Sequence, residues 1–536
     1  MDHQQEELVD LLSRKLGAGQ ISRRQFLYTA SILGLGAGLA ESIAACSTGP
    51  QGGGPTGSVR FLVAESFWAN WHPYLHTAQV QRRLEQQIFD HLVEIESNDF
   101  SKYFPGLAKA WKQVDDTTLE VTLQQGVKFH KGQDFTADDV KASVELATGT
   151  SAETEKMSTA GRFVPTTVEV VDKHTARLKT KTPFAPLLNE LSILPILSAA
   201  DIKSGTAALK AAPNGTGPFK LTMDEKDKKS MQAFSGYWRG SPKIKTLVWE
   251  FIQDSQTRLN ALLAGQAQAI DRVPPEQIQV IKGSSHVSMI SATGLENVNL
   301  WMRQDPPAPW DNPKVREAVA WSIDREALVK NLVGGASEVA KSLLPNHAAF
   351  AVPQSPSYTF DPEKAKAALS AAGVTQTPEF VLWGTTGFLP RSREVVEAIA
   401  DSLQKTGFRP KVTITDVAAI IDALFGKDRT NGLMFHLSWS STGDPHSALS
   451  LLYHSPGAWS GAHDPKIDDW LDRGAATQQS DARAKIYGDL QQYLWKIVPH
   501  IPLYNSDFTI AHSKNLTGIR ALSNFMTYFY PASMGG

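Results

Sequence analysis

The sequence contains very little cysteine, since Cys46 is the only one in 536 residues. One cysteine cannot close an internal disulfide, which excludes the disulfide-stabilised folds common among small secreted domains. The chain also lacks an excess of either charge, because 53 basic and 55 acidic residues leave a net charge of −2. Without a dense basic stripe, neither nucleic acid nor an anionic membrane surface is an expected partner.

Apolar runs of membrane-spanning length are missing as well. The run from Phe26 to Ala40 has about 15 residues, whereas a transmembrane helix needs about 20. It overlaps the string Ser-Arg-Arg-Gln-Phe-Leu, in which Arg23 and Arg24 form the pair typical of a twin-arginine export signal. We therefore predict a cleaved signal rather than a permanent transmembrane anchor.

Cys46 stands at the end of this predicted signal. The residues before it, Ile-Ala-Ala, are typical of a lipobox, so the thiol is expected to receive diacylglycerol. Residues 1–45 are thus predicted to be a twin-arginine lipoprotein signal peptide, and residues 46–57 a flexible glycine-rich tether. The protein is expected in the periplasm or at the cell surface, held to the membrane through its N-terminal lipid alone.

Motifs for enzyme chemistry are also absent. No GxSxG or HExxH string occurs, and the glycine-rich turn at 214–219 lacks the Lys-Ser/Thr pair of a phosphate loop. No catalytic residue, metal or cofactor is therefore predicted. An active site formed by two carboxylates from distant positions in the chain, as in glycosidases, remains an alternative. The late histidines are spaced without a helical ligand pattern, at His436, His446, His454 and His463.

What the chain does have is a regular α/β pattern. In the stretch Leu107–Val140, a short helix is predicted to end at Trp111, Leu119–Gln124 alternates as a half-buried strand, and Thr136 caps a helix. Taken as one string, this stretch closely resembles the signature segment of the family 5 extracellular solute-binding proteins, the oligopeptide, dipeptide and nickel receptors of ABC importers. The string VREAVAWSIDRE, which ends at Glu326, is a second match.

The resemblance covers the chain from Val59 to its C-terminus. It implies an α/β protein with the two-lobed periplasmic binding protein fold of the large, three-domain class, in which a ligand cleft lies between the lobes. Lobe I is expected to span residues 58–293, with a subdomain at about 86–210, and lobe II residues 294–498. Residues 499–536 are expected to return to lobe I, and the protein is expected to be a monomer.

Aromatic side chains mark two candidate parts of the cleft. Phe67, Trp68 and Trp71 crowd one loop, either as a wall of the cleft or as a hydrophobic plug under the following helix. On the strand around Leu300, Asn299 and Trp301 share one face. The resemblance places these two near the hinge and floor of the cleft, and the alternative is a sheet-edge aromatic.

Two later loops are also expected to face the ligand. Trp383 ends a strand before a loop that reaches Arg391, and Trp439 leads into a polar loop with Thr442 and Asp444. In peptide-binding relatives, an aspartate three residues after this second tryptophan holds the ligand's amino group, and an arginine in the first loop holds its carboxylate. Here the aspartate position is Thr442, and the shorter first loop places Arg391 slightly beyond the arginine position.

The missing anchors bear on the ligand. A buried ammonium or carboxylate without a partner costs several kcal/mol, so a free dipeptide is disfavoured. Trp68, Trp301, Trp383 and Trp439 at the lobe interface would suit a sugar-like or opine-like conjugate or a blocked peptide, with Trp439 stacking on it. Asp444 and Thr442 would add hydrogen bonds.

The predicted function is that of the extracytoplasmic, lipid-anchored substrate-binding component of an ABC importer. It would capture a peptide-like, opine-like or oligosaccharide solute by hinge closure and deliver it to the membrane permease, without catalysing a reaction. Two alternatives stay open. One is a secreted two-lobed glycosidase, and the other is a ligand sensor for a membrane kinase or chemoreceptor.

Overall fold

The computed structural model describes most of the chain after residue 56. The predicted signal, Cys46, Trp68, Trp439 and Thr442 lie outside the described residues. Within the described part, no helix combines the length and apolar character needed to cross a membrane. The described residues are 57–67, 70–76, 79–96, 99–150, 163–304, 309–334, 337–374, 377, 379–386, 389–416, 419–420, 422–423, 432–437, 443–455 and 463–535.

Lobe I is built on a seven-stranded mixed sheet. Its central strand begins at Ser58, pairs in parallel with both neighbours and is buried at four of its six residues. The other pairs of this sheet are antiparallel. In spatial order the strands are β12 (Val287–Ala292), β19 (Phe508–Ser513), β11 (Ala269–Asp271), β1 (Ser58–Val63), β10 (Thr246–Phe251), β9 (Lys228–Ala233) and β8 (Phe219–Glu225).

A four-stranded antiparallel sheet forms the core of the subdomain. The helix predicted to end at Trp111 is wrong, because this residue lies on a strand and pairs with Val121 across a hairpin. The strand at 119–124 and the helix after Thr136 are confirmed, and the Thr136 N–H donates to the Asp139 carboxylate at 2.8 Å. The sheet order is β4 (Ala108–Asp115), β5 (Thr118–Leu123), β7 (Thr175–Thr180) and β6 (Thr166–Asp172), with β2 (Val93–Glu96) and β3 (Asp99–Pro105) paired separately.

Lobe II is built on a six-stranded mixed sheet with a hydrophobic core of its own. In spatial order its strands are β14 (Ser337–Val339), β18 (His500–Ser506), β13 (Asn297–Met302), β17 (Gly432–Leu437), β15 (Glu379–Thr385) and β16 (Arg409–Thr415). After β19 the chain adds two short ribbons, β20 (Leu516–Thr517) with β23 (Ser533–Met534) and β21 (Arg520–Ala521) with β22 (Thr527–Tyr528).

Several helices begin with a proline behind an aspartate or asparagine cap, as the sequence predicts at Asn312 and Asp361. In chain order the described α-helices are α1 (Gln79–Ile88), α2 (Ala137–Ala147), α3 (Leu187–Leu191), α4 (Ala199–Lys203), α5 (Thr206–Ala211), α6 (Ser255–Leu263), α7 (Pro275–Gly283), α8 (Pro313–Ser322), α9 (Arg325–Leu328), α10 (Pro362–Ala371), α11 (Ser392–Lys405), α12 (Pro445–Tyr453), α13 (Pro465–Ala476) and α14 (Ser480–Ile497). A 3₁₀ turn covers Pro309–Asp311 and a π-helical turn Val329–Val333.

Helices cover both faces of β1. Phe61 packs in one apolar cluster with Leu84 of α1, whereas its neighbour Leu62 packs in another with Leu259 of α6 and Ile281 of α7. Successive side chains of a strand point to opposite faces, so these clusters lie on the two sides of the sheet. Lobe I is thus built of three layers, with the sheet between helices.

The two lobes are joined by two short crossings. The first is residues 293–296, between β12 and β13. The second is Asp507, between β18 and β19. The return to lobe I predicted at residue 499 is too early, because residues 500–506 form β18, which pairs with β13 and β14 in the sheet of lobe II.

Candidate ligand-binding cleft

The facing edges of the two sheets define the cleft. In lobe I, the C-terminal ends of β1, β11 and β12 lie at the same edge of the sheet. The antiparallel strand β19 begins at that edge. In lobe II, β15 and β17 end on the side where β13 begins, because β13 is antiparallel to β17. Since the crossings join β12 to β13 and β18 to β19, these two edges meet. Ligands of open α/β sheets bind at this kind of edge.

Along the first crossing, the side-chain hydrogen-bond partners change from lobe I to lobe II between two adjacent residues. Glu296 belongs to lobe I, because its Oε1 accepts a hydrogen bond from Nε2 of Gln79 at 2.6 Å. Asn297 belongs to lobe II, where its Nδ2 donates to the carbonyls of Ser342 at 3.2 Å and Leu343 at 2.8 Å. In a rotation of the lobes, the bond between these two residues would therefore be the pivot of the first crossing.

The second crossing changes partners just as abruptly. Asn505 donates to the Asn297 side chain within lobe II, whereas Oδ1 of Asp507 accepts from the Gly294 N–H at 3.2 Å on the lobe I side. The two crossings also touch, since a Cβ added to Gly294 would lie 1.7 Å from the carbonyl oxygen of Ser506. Glycine is needed at this position because the backbones approach so closely.

A buried polar network lies beside the pivot. Arg272 donates through Nε to Oε1 of Glu65 at 2.7 Å and through Nη2 to Oε1 of Gln79 at 2.8 Å, and Gln79 reaches Glu296. Burial raises the pKa of Glu296 to about 8, against the opposing charge of Arg272 and with the help of Glu65. The sequence analysis missed this network, although Glu65 and Arg272 each follow a strand end.

An ion pair links the two lobes near their facing edges. Nε of Arg391, before α11 of lobe II, lies 3.0 Å from Oε2 of Glu276 on α7 of lobe I. Both side chains are partly exposed, so the pair is worth less than about 1 kcal/mol. Arg391, predicted to contact the ligand, is thus engaged across the cleft.

The lobes touch again between the subdomain and lobe II. The Ser447 hydroxyl of α12 donates to the Glu190 carboxylate of α3, and the Ala185 N–H donates to the Ala475 carbonyl of α13 at 2.7 Å. Two rings pack edge to face beside them, Phe184 and His446, with centroids 5.4 Å apart.

Asp444 has a structural partner that the sequence analysis did not foresee. Its carboxylate caps α12 by accepting from the His446 N–H at 2.9 Å. Both oxygens also accept from Arg483 of α14, Oδ2 from Nη1 at 2.9 Å and Oδ1 from Nη2 at 3.0 Å. A bidentate pair of this kind is among the stronger charge-assisted contacts. Asp444 thus joins two helices of lobe II, and its predicted contact with the ligand has to compete with this pairing.

The aromatic loop after β1 fits, in part, the alternative in which its side chains form a hydrophobic plug instead of a wall of the cleft. Trp71 is only 3% exposed, and its indole N–H donates to Oδ2 of Asp224 at 2.7 Å. Phe67 is half-buried, packs against the core of lobe I, and has the Lys229 ammonium 5.5 Å from its ring centroid. Both side chains are thus held by lobe I, and Trp68 lies outside the described residues.

Three predicted cleft residues lie in the interior of lobe II. Asn299 donates through Nδ2 to the Asn297 carbonyl at 3.3 Å. Trp301 is 6% exposed and stacks on His500, with ring centroids 5.1 Å apart. Trp383 is 5% exposed and lies so close to Gly432 that a Cβ there would be 2.2 Å from its ring. The two tryptophans therefore pack the core and do not form an open aromatic wall.

The geometry defines a class of protein. Two α/β lobes, joined by two short adjacent crossings and carrying polar side chains at the facing sheet edges, are the architecture of a binding protein that closes on a solute. In the part of the chain that the structure describes, no three His, Cys, Asp or Glu side chains are grouped to hold a metal ion.

Comparisons with known proteins identify the family. The model of the bacterial extracellular solute-binding proteins, family 5 Middle, matches residues 102–460. The chain is 31% identical over 426 residues to the glutathione-binding protein GsiB of Salmonella paratyphi A, covering 77% of this chain and 82% of that protein. The chain therefore belongs to the family 5 bacterial extracellular solute-binding proteins, as its sequence predicts.

Solved structures confirm the fold. The dipeptide-binding protein of Pseudoalteromonas sp. SM9913, in complex with Met-Leu, superposes with a TM-score of 0.81 at 20% identity over 89% of this chain and 100% of that chain. AgaA of A. tumefaciens R10, in complex with agropinic acid, gives 0.78 at 23% identity over 90% and 99%. The protein is the solute-binding component of an ABC importer, and members of its family are periplasmic or extracellular binding proteins of transporters rather than enzymes.

Proposed function

We propose that the protein captures a peptide-like, opine-like or oligosaccharide solute between its lobes, closes by rotation at the two crossings, and delivers the solute to its permease. The observation that carries the proposal is the change of side-chain partners from lobe I at Glu296 to lobe II at Asn297. Because the change occurs between adjacent residues, few backbone dihedrals have to absorb the rotation.

The identity of the solute rests on two further observations. Arg483 already occupies both oxygens of Asp444, so this carboxylate is a poor anchor for a free α-amino group. The relatives named above take glutathione, Met-Leu and agropinic acid, which are small amide or amino-acid conjugates. These ligands of the relatives favour a peptide-like or opine-like solute over an oligosaccharide.

A thermal-shift screen tests this function. The panel contains glutathione, Met-Leu and other dipeptides, blocked peptides, agropinic acid, oligosaccharides and a nickel–histidine complex. A solute at 100 times its dissociation constant adds about 2.7 kcal/mol to the free energy of unfolding. Saturable 1:1 binding without turnover supports the proposal. Release of a hydrolysis product would favour the glycosidase alternative, and co-purification with a kinase or chemoreceptor instead of a permease would favour the sensor.

We further propose that Trp439 and Thr442 contact the solute, since in the sequence they lie between the end of β17, at the edge that faces lobe I, and the start of α12. Trp439→Ala is expected to weaken binding about a hundredfold, because truncating a stacked aromatic costs about 3 kcal/mol. Calorimetry with the solute from the screen measures this. Trp111→Ala, on β4 of the subdomain, is the control, and a change below threefold for Trp439→Ala would contradict the assignment.

We also propose export by the twin-arginine route and lipid attachment at Cys46. Replacing Arg23 and Arg24 with lysine is expected to leave precursor in the cytoplasm, because the receptor of this route reads the arginine pair. Cys46→Ser is expected to abolish labelling by radioactive palmitate and to release the protein from membranes. Normal export of the double-lysine variant would contradict the routing.

A further inference from the structure

Glu296 is an unusual residue to find at a pivot. It is 2% exposed, and its Oε1 accepts from Gln79. Its Oε2 is buried and has no hydrogen-bond partner among the residues that the structure describes. A buried carboxylate is stabilised by donors to both oxygens, whereas a protonated carboxyl needs fewer. The side chain is therefore placed to carry a proton on Oε2.

We propose that Glu296 is a proton-binding site built into the hinge, occupied when the lobes are closed and emptied when they open. The proposal rests on the closure proposed above. The carboxyl stays with Gln79 of lobe I while Asn297 moves with lobe II, so rotation at the pivot loosens the packing around the carboxyl and admits water. Closing the lobes then takes up one proton, and opening them releases it.

The charges around the carboxyl support this assignment. Burial raises its pKa to about 8, and Arg272 lowers the pKa while Glu65 raises it. Gln79 and Arg82, both of α1, lower it further without offsetting the burial. An open, hydrated carboxyl returns toward the ordinary glutamate pKa near 4.5.

The direction of the pH effect follows from these two states. Between pH about 4.5 and about 8 the closed form holds a proton that the open form has released. Raising the pH through this window therefore favours the open form. Each pH unit lowers the equilibrium constant for closing by up to tenfold. Above pH about 8 both forms are ionised, and the effect of this group ends.

Small-angle X-ray scattering of the full chain, made lipid-free by Cys46→Ser, tests the proposal without any solute. The radius of gyration of the parent protein is expected to rise between pH 5 and pH 8 and then to level off. Glu296→Gln, which mimics the protonated carboxyl, is expected to stay compact throughout. Glu276→Gln is the matched control, because it removes the ion pair between the lobes and should keep the parent's pH dependence.

A second variant separates proton binding from simple packing. Glu65→Gln removes a negative charge near Glu296 and frees Arg272, so the rise should level off at a lower pH than in the parent. A parent protein of constant size across pH 5–9, or a Glu296→Gln variant that expands like the parent, would overturn the proposal. Failure of the solute screen would instead overturn the proposed function, whereas the pH response of the free chain does not depend on any solute.

Discussion

Replacing Arg483 with methionine is expected to lower the free energy of unfolding by about 3–5 kcal/mol, because the substitution leaves the Asp444 carboxylate buried without its partner. Both side chains of the pair are only 9% exposed, so solvent screens the remaining carboxylate charge weakly. Methionine fills much of the same volume, which isolates the loss of charge. Chemical denaturation followed by circular dichroism measures the change.

Two further variants make this result specific. Arg473→Met removes an exposed pair with Asp469 on α13 and should cost less than about 1 kcal/mol. Adding Asp444→Asn to Arg483→Met should recover part of the loss, because asparagine keeps the helix cap and leaves no unpaired charge. A cost for Arg483→Met as small as that of Arg473→Met would show that the buried pair is not structural.

Gly294→Ala is expected to destabilise the protein by about 1–3 kcal/mol or more and to weaken solute binding. The added Cβ would lie 1.7 Å from the Ser506 carbonyl oxygen, so the two crossings have to separate. Because the obstacle is backbone, no side-chain rotation relieves it. Denaturation and calorimetry on the same samples measure the two effects.

Gly488→Ala is the matched control for this substitution. Its Cβ would meet nothing within 4 Å in the interior of α14, so alanine is expected to stabilise that helix by up to about 1 kcal/mol. If Gly294→Ala behaves like Gly488→Ala, with unchanged stability and binding, the close contact of the crossings is not needed for the hinge.

Local patterns predicted much of the fold. Alternating residues located the strand Thr118–Leu123, and cap residues with a following proline located the starts of α8 and α10. Local patterns failed where pairing is non-local. Trp111 lies in a short segment whose pattern fits a helix or a strand equally, and the segment is a strand because it pairs with β5. Likewise, nothing within residues 500–506 tells which of two sheets they join.

The candidate site was less predictable than the fold. An aromatic residue can pack a core or line a cleft, and the sequence does not distinguish the two. Only the folded chain shows that Trp301 and Trp383 are buried in the core. Asp444 was recognised as important, but its partner Arg483 lies 39 residues further along the chain. The network around Glu296 draws on four separate segments, so its only sequence signal was polar residues after strand ends.

The central claim is that the lobes close on a solute. Small-angle X-ray scattering on the full chain, with and without the solute that the thermal screen selects, tests it most directly. At a pH above 8, where the proton effect of Glu296 is absent, the free protein should scatter as a more extended particle than the structure. The saturated protein should match the curve calculated from the described structure, in which the lobes touch at Glu276 and Arg391. Identical scattering with and without a bound solute would contradict capture by lobe closure.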